Sequence, residues 1–499
     1  MQRRSIAFAI AAAFLGLASA GLAGDAKDDS KLLAKKETEA HAAVAKELLA
    51  LSQYSVMKNA IDDAREVLDL GILIAPDQKQ LQAAKDKLKD ATKPAPKDYA
   101  QNYPGKKKAA YEKAAQALAA YMVFAGKHNV WDHFEEQLDI LASKLGSEAA
   151  VAATGAVYFE PYRRWYNPAD GKRLLDGGEK GTEVHPQDDT KWLDAKEVKA
   201  LDDQHSTWSN PWVLADDVHE LHTTMPVRTA KTLLLHVGEY RDMFVKYVAD
   251  GWELRKPEGK LPIFVTATQK DFRDRMQADG HLKPGERINM AAVYCPSSRP
   301  LNPVYATFEP MDESGATAVM NTQYVAMILQ HECTHQIATE YSMFDADFSG
   351  HGEKYQYWSV EGIATFMEVF RLGKTGWKLT HPNPKNHQEK ASGNECAFAF
   401  CKDNLFLPET LKGFFDLTHD HFVRADHYQI AATVSYFLLE GEGKKYRKSF
   451  LKLLQLVHQS KDTNHTLQDC FPGVNFEQMH DEYKHFVGDM KLDEVEKAN

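Results

Sequence analysis

The residues best spaced for chemistry are His331-Glu332-Cys333-Thr334-His335. On an α-helix, positions i and i+4 lie one turn apart on one face, so both imidazoles can reach a single metal ion. Glu332, next to the first histidine, then reaches a water on that ion without being a ligand itself. A catalytic zinc takes three protein ligands and leaves one position open for water. It brings the pKa of that water towards about 7, and an adjacent carboxylate removes the proton as general base. The spacing implies metal-assisted hydrolysis, with His331 and His335 as ligands, Glu332 as base and a third ligand elsewhere in the chain.

The motif must sit on a buried helix to work this way. Tyr324, Val325, Ile328, Leu329 and Ile337 supply the apolar positions, and a helix is expected over 322–341. For the third ligand, a metzincin-type extension would need glycine at position 338 and histidine at 341. The chain has Ala338 and Tyr341 instead. The sequence Tyr357-Trp358-Ser359-Val360-Glu361-Gly362-Ile363-Ala364 resembles the W-x-x-E-G-x-A element of gluzincins. There the glutamate, near the start of a second helix, completes the zinc site. A helix over 360–372 is expected to carry it, with Ser359 as N-cap and Gly362 allowing close packing on the first helix.

From about Trp208 to Val487 the chain resembles a bacterial group of gluzincin-like proteins, related in active-site plan to thermolysin and the wider peptidase MA clan. Carrying the resemblance are the early strand and helix, the strand around Val265, the two motif-bearing helices, His427-Tyr428-Gln429-Ile430-Ala431-Ala432 and Phe437-Leu438-Leu439. It implies a zinc ion held by His331, His335 and Glu361, and hydrolysis of a peptide or protein substrate. Gluzincins also supply a Tyr or His from the helical C-terminal part to stabilise the oxyanion. Tyr428 is the first choice here and His427 the second, with an ordinary core aromatic as the plain alternative for Tyr428. His351, His381, His387 and His421 are further candidates for a substrate cleft. Thermolysin-like enzymes often place an Asp four residues after the third ligand, where this chain has Thr365. Glu368, two turns beyond Glu361 on the same face, can serve as acceptor for a ligand histidine instead. Cys333 points away from the metal face and fits packing. Two rival readings are a peptidase-fold scaffold without efficient turnover, against which the intact Glu332 argues, and a zinc hydrolase acting on a non-protein ester or amide.

The elements that must position these residues are legible in outline. Trp212-Val213-Leu214, Pro262–Thr266, Ala291–Cys295 and Val304–Phe308 read as strands, and Thr229–Val248 as an amphipathic helix. Strands precede the helices that carry the motif, and the chain beyond Glu409 is largely helical, so residues 208–499 are expected to form an α+β metallopeptidase-like domain. Residues 25–93 read as a helical hairpin resembling a tetratricopeptide repeat, a candidate surface for a protein partner. A Pro- and Lys-rich linker is expected over 94–108, and a helical then irregular, β-containing connection over 109–207.

The first 23 residues read as a signal peptide. Arg3 and Arg4 precede the apolar run Ile6–Leu17, too short for a membrane span, and Ala18-Ser19-Ala20 offers a cleavage site. Periplasmic or secreted location follows as an expectation, with no stable membrane span after cleavage. A formal net charge of −11 gives no general attraction to nucleic acid. The five cysteines, Cys295, Cys333, Cys396, Cys401 and Cys470, are too few for a disulfide scaffold, although Cys396 and Cys401 are close enough to pair.

Overall fold

The computed structural model describes residues 25–89, 94–128, 130–131, 134–181, 191–286, 288, 290–296, 301–310, 319–342, 355–373, 376–380, 398, 401–402, 410–422 and 424–491. The expected leader at 1–23, together with His351, His381, His387 and Cys396, lies outside these residues. The chain divides into two compact units, one ending at Phe159 and including Arg164–Lys172, the other made of Glu160–Arg163 and Arg173 onward.

The first unit is mainly helical. It comprises α1 (Asp25–Met57), α2 (Ile61–Ile74), α3 (Lys79–Asp86), α4 (Lys97–Lys127), α5 (Phe134–Asp139) and α6 (Glu148–Ala153). A short hairpin of β1 (Val157–Phe159) and β2 (Arg164–Tyr166) comes next. Val44, Leu48, Val67, Ala114, Leu118 and Met122 fill the core between α1, α2 and α4. Residues 25–89 hold α1, α2 and α3, and one expectation is corrected here: the linker expected over 94–108 is largely the first third of α4. Pro96 caps that helix and Pro104 lies inside it. An internal proline costs about 3 kcal/mol in an isolated helix. Here Tyr99, Tyr103 and Tyr111 are buried on the neighbouring helices, the first two rings stack at 4.8 Å, and the Tyr99 hydroxyl donates to Asp63 at 2.8 Å. Burying three aromatic side chains outweighs one proline, each contributing roughly 1.5–3 kcal/mol.

The second unit begins well before Trp208, the expected domain start. The helix α7 (Pro168–Leu175) carries the boundary, and β3 (Glu179–Lys180), β4 (Trp192–Leu193) and α8 (Ala195–Gln204) come after it. Buried ionic and polar contacts tie these pieces to the chain between Trp212 and Lys231. Glu179 is almost fully buried and accepts from Arg228 Nε at 2.6 Å and Lys231 Nζ at 3.2 Å. Asp202 accepts from Trp212 Nε1 at 3.1 Å and from the Val227 backbone at 2.7 Å. A buried carboxylate is tolerated only with such partners, so the segment belongs to this unit.

The main sheet consists of β5 (Trp212–Ala215), β6 (His219–Thr223), β7 (Leu261–Thr266), β8 (Ala292–Tyr294) and β9 (Val304–Thr307), in the order β5-β6-β7-β9-β8. The β6–β7 and β7–β9 pairs are parallel, the outer two antiparallel. β6 escapes the sequence pattern because its inward residues include His219 and Thr223, polar yet buried. Between these strands run α9 (Val227–Val248) and α10 (Gln269–Ala278). α9 shares the main core with α11 (Thr322–Glu340), whereas Phe272 and Met276 of α10 join Phe264 and Tyr305 in a separate cluster. The rest comprises α12 (Tyr357–Met367), the hairpin β10 (Phe370–Gly373) and β11 (Gly376–Leu379), α13 (Leu411–Phe415), α14 (Ala425–Glu440), α15 (Arg447–His458), α16 (Thr466–Cys470) and α17 (Phe476–Asp489). The class is α+β. No helix among the described residues is long and apolar enough to cross a membrane.

α12 differs from its expected form in three ways. It begins at Tyr357, behind Gln356 in the left-handed region at φ 61°, and Ser359 lies inside it rather than capping it. The Ser359 hydroxyl donates to the Gln356 carbonyl at 2.8 Å. It ends at Met367, so that Phe370–Leu372, expected as helix, enter β10. Gly362 does permit close packing, but against α14 rather than α11. A Cβ there would stand 2.7 Å from the Ala431 carbonyl oxygen and 2.6 Å from Ser435 Oγ. Since backbone cannot yield as a side chain does, Gly362→Ala is expected to lower stability by about 1–3 kcal/mol. Urea unfolding against the wild type measures this, and an unchanged midpoint would refute the close approach.

Candidate metal centre

α11 is set by contacts on nearly every side. Asn321 caps it, its side chain accepting from the Tyr324 backbone at 2.8 Å. Val325, Leu329, Cys333 and Ile337 are buried in the core. Gln336 fixes the helix against the sheet, donating to the Asn302 carbonyl at 2.8 Å and the Pro262 carbonyl at 3.1 Å. On the α9 side the hydroxyls of Tyr240 and Thr334 hydrogen-bond to each other. A helix buried this thoroughly has little freedom to rotate, which fixes where its polar face points.

That face carries His331, Glu332 and His335. The Nε2 atoms of the two histidines are 3.1 Å apart. Glu361 on α12 brings its Oε2 to 3.5 Å from His331 Nε2 and 3.7 Å from His335 Nε2. A point equidistant from the three atoms lies about 2.0 Å from each, the length of a zinc–nitrogen or zinc–oxygen bond. His331, His335 and Glu361 also form the only set of metal-capable side chains found among the described residues. Two imidazoles and a carboxylate with convergent lone pairs fit zinc by donor type as well as by spacing.

The surroundings orient these donors. Glu368 Oε1 lies 2.6 Å from His331 Nδ1, which assigns the proton to Nδ1 and leaves Nε2 its lone pair. Thr365, in the position where thermolysin-like enzymes often have Asp, is fully buried and its hydroxyl has no hydrogen-bond partner among the described residues. The Tyr357 hydroxyl donates to Glu361 Oε1 at 2.8 Å. Glu332 Oε2 accepts from the Tyr294 backbone N–H at 2.7 Å, which ties the base to the edge strand β8. Tyr294 is itself anchored to α11, its hydroxyl donating at 3.0 Å to the buried Glu340, which also accepts from Asn302 at 2.5 Å.

Electrostatics separate the carboxylates. Burial pushes Glu332 up to about 7, close to the value a proton shuttle needs near neutral pH. Burial would raise Glu361 as well, but the imidazoles of His335 and His331 beside its Oε2 hold it down at about 2. His335 is lowered to about 3 by burial and stays neutral, as a metal ligand must.

Of the two oxyanion donors expected from the sequence, the structure brings one to the centre. Tyr428 is half-buried; burial first, then the charge of Glu361, raise its phenol to about 12, and it interacts with the Tyr357 hydroxyl. His427 is not gathered in. Its ring packs against Phe422 at 5.3 Å and Phe414 at 6.3 Å, and its charged neighbours are Asp426 and Arg424. His427 precedes Tyr428 on α14 and so projects from a different part of the helix surface. His421 is exposed, with Thr418 Oγ1 at 2.8 Å from its Nδ1. Cys333 is packed in the core as expected, and Cys295, Cys401 and Cys470 are buried free thiols. Tyr357, Tyr294 and Glu340 do not stand out in the sequence pattern. Tyr357 lies one turn before Glu361, a spacing that marks it only once the helix start is placed correctly. No sequence signal links Tyr294 to Glu332.

No protein-family model matches the chain, and no curated protein matches it significantly. The gluzincin resemblance rests on the chain's own motifs, His331 to His335 and Trp358 to Ala364 foremost.

If Glu368 orients His331, then Glu368→Ala is expected to weaken zinc binding about 10- to 100-fold while the fold persists. Competition with a chromogenic chelator would measure it. An affinity equal to wild type would leave Glu368 without that role.

Proposed function

We propose that this protein is an exported zinc-dependent metallopeptidase of the gluzincin type. One observation carries the reading: the imidazole nitrogens of His331 and His335 and a carboxylate oxygen of Glu361 converge on one point, with Glu332 beside them. When bound there, zinc would polarise the scissile carbonyl and acidify a water molecule.

The chain's own groups supply the remaining steps. Glu332, held against β8 by the Tyr294 N–H, takes the proton of the attacking water and passes it to the leaving amine. Tyr428 offers its hydroxyl to the oxyanion as the carbonyl becomes tetrahedral. Glu368 aims the His331 imidazole through its Nδ1, and Glu361 faces the Nε2 atoms of both rings. The substrate class is a peptide or protein. The helices of the first unit offer a surface for a protein partner, and export rests on the leader-like residues Arg3, Arg4, Ile6–Leu17 and Ala18-Ser19-Ala20.

Two outcomes test the reading. Incubated with a mixed peptide library, the zinc-loaded protein is expected to cleave, to lose activity on chelation and to regain it on adding zinc. Glu332→Gln is expected to keep its zinc and to lose about 10²- to 10⁴-fold in turnover. Cleavage that survives Glu332→Gln would exclude this mechanism, and bound zinc without cleavage by either protein would favour the scaffold reading.

A further inference from the structure

The two oxygens of Glu361 stand in different environments. Oε2 faces the histidines, at 3.5 Å from His331 Nε2 and 3.7 Å from His335 Nε2. Oε1 accepts the hydroxyl of Tyr357 at 2.8 Å. Donor and acceptor are one helical turn apart on α12, so the helix itself builds the pair. The Tyr357 ring is fixed edge-on by His419 at 4.7 Å and Phe422 at 5.4 Å. Glu361 is buried, so little water competes for Oε1.

This matters because a carboxylate can bind a metal through one oxygen or two. A second oxygen from Glu361 would fill the coordination position that a catalytic zinc keeps for water. We infer that Tyr357 holds Glu361 to one-oxygen ligation, and thereby keeps the fourth position open for the attacking water. The inference rests on the zinc reading of the centre. Tyr357 acts through Glu361 and is a positioning residue. The arrangement also explains why the helix must begin as early as Tyr357: the hydroxyl reaches Oε1 only if residues 357 and 361 share one helix face.

The test uses the full-length protein loaded with cobalt(II), whose visible spectrum reports coordination number and needs no substrate. Tyr357→Phe removes the hydroxyl and keeps the ring against His419 and Phe422. It is expected to bind cobalt and zinc at least as tightly as wild type. Its cobalt absorption should weaken as the freed oxygen closes on the ion, and peptide hydrolysis should fall by about tenfold or more. Tyr428→Phe, which leaves the Tyr357–Glu361 bond intact, should show the wild-type cobalt spectrum. An unchanged spectrum in Tyr357→Phe would overturn the inference, as would loss of metal binding or of fold in that variant. A changed spectrum with no hydrolysis by the wild type would uphold the role of Tyr357 and reject the peptidase reading. Failure of the wild type to bind cobalt would reject both.

Discussion

Everything around the centre answers to the difficulty of placing several ionisable groups together away from water. Glu361, Glu368 and His335 are buried and His331 and Glu332 partly buried, so five ionisable groups crowd one region with little water. An isolated buried carboxylate is prohibitively unstable, so each needs a hydrogen-bond donor or a cation. The structure provides one for each. Tyr294 N–H meets Glu332, Tyr357 meets Glu361, and His331 meets Glu368. Those pairings dictate where β8, α12 and the start of β10 must lie relative to α11.

The same requirement explains why α11 is anchored so firmly. Its sides are taken by the sheet, α9 and α12, and a fully buried Gln336 bridges two backbone carbonyls. A helix able to slide or rotate would pull the two imidazoles out of register. α12 is located by a different device, the bare backbone of Gly362 lying against α14. Tyr428, on α14, is thereby brought beside Tyr357 as a consequence of the same close contact. Glu361 and the candidate oxyanion donor are in this way placed by one packing event.

Burial also assigns different roles to chemically similar groups. Glu332 and Glu361 are both glutamates, the first partly buried and the second buried, yet one is raised to about 7 and the other lowered to about 2. The difference is in the neighbours. Glu361 faces two imidazoles and a phenol, whereas Glu332 has His331 and one backbone donor to set against desolvation and the nearby Glu361 and Glu368. One carboxylate suited to bind a cation and one suited to carry a proton is the division that metal-assisted hydrolysis requires.

The sequence alone determined the local pattern. The i, i+4 spacing of His331 and His335 requires only a helix, and Val325, Leu329 and Ile337 show that the helix is buried. Four of the five main strands follow from runs of β-branched and aromatic residues. Glu368 was legible because it repeats the Glu361 face two turns on. The rest depended on tertiary structure. α4 runs through Pro104 because three tyrosines gain a core there, an energy no local propensity contains. β6 is a strand because it pairs with β5 on one side and β7 on the other, whatever its own residue pattern. Ser359 lost its capping role because that role depends on where the helix starts. Such features are set by packing against distant segments. So is the hydrogen bond from Tyr294 to Glu332, which joins two elements whose proximity no spacing in the chain records.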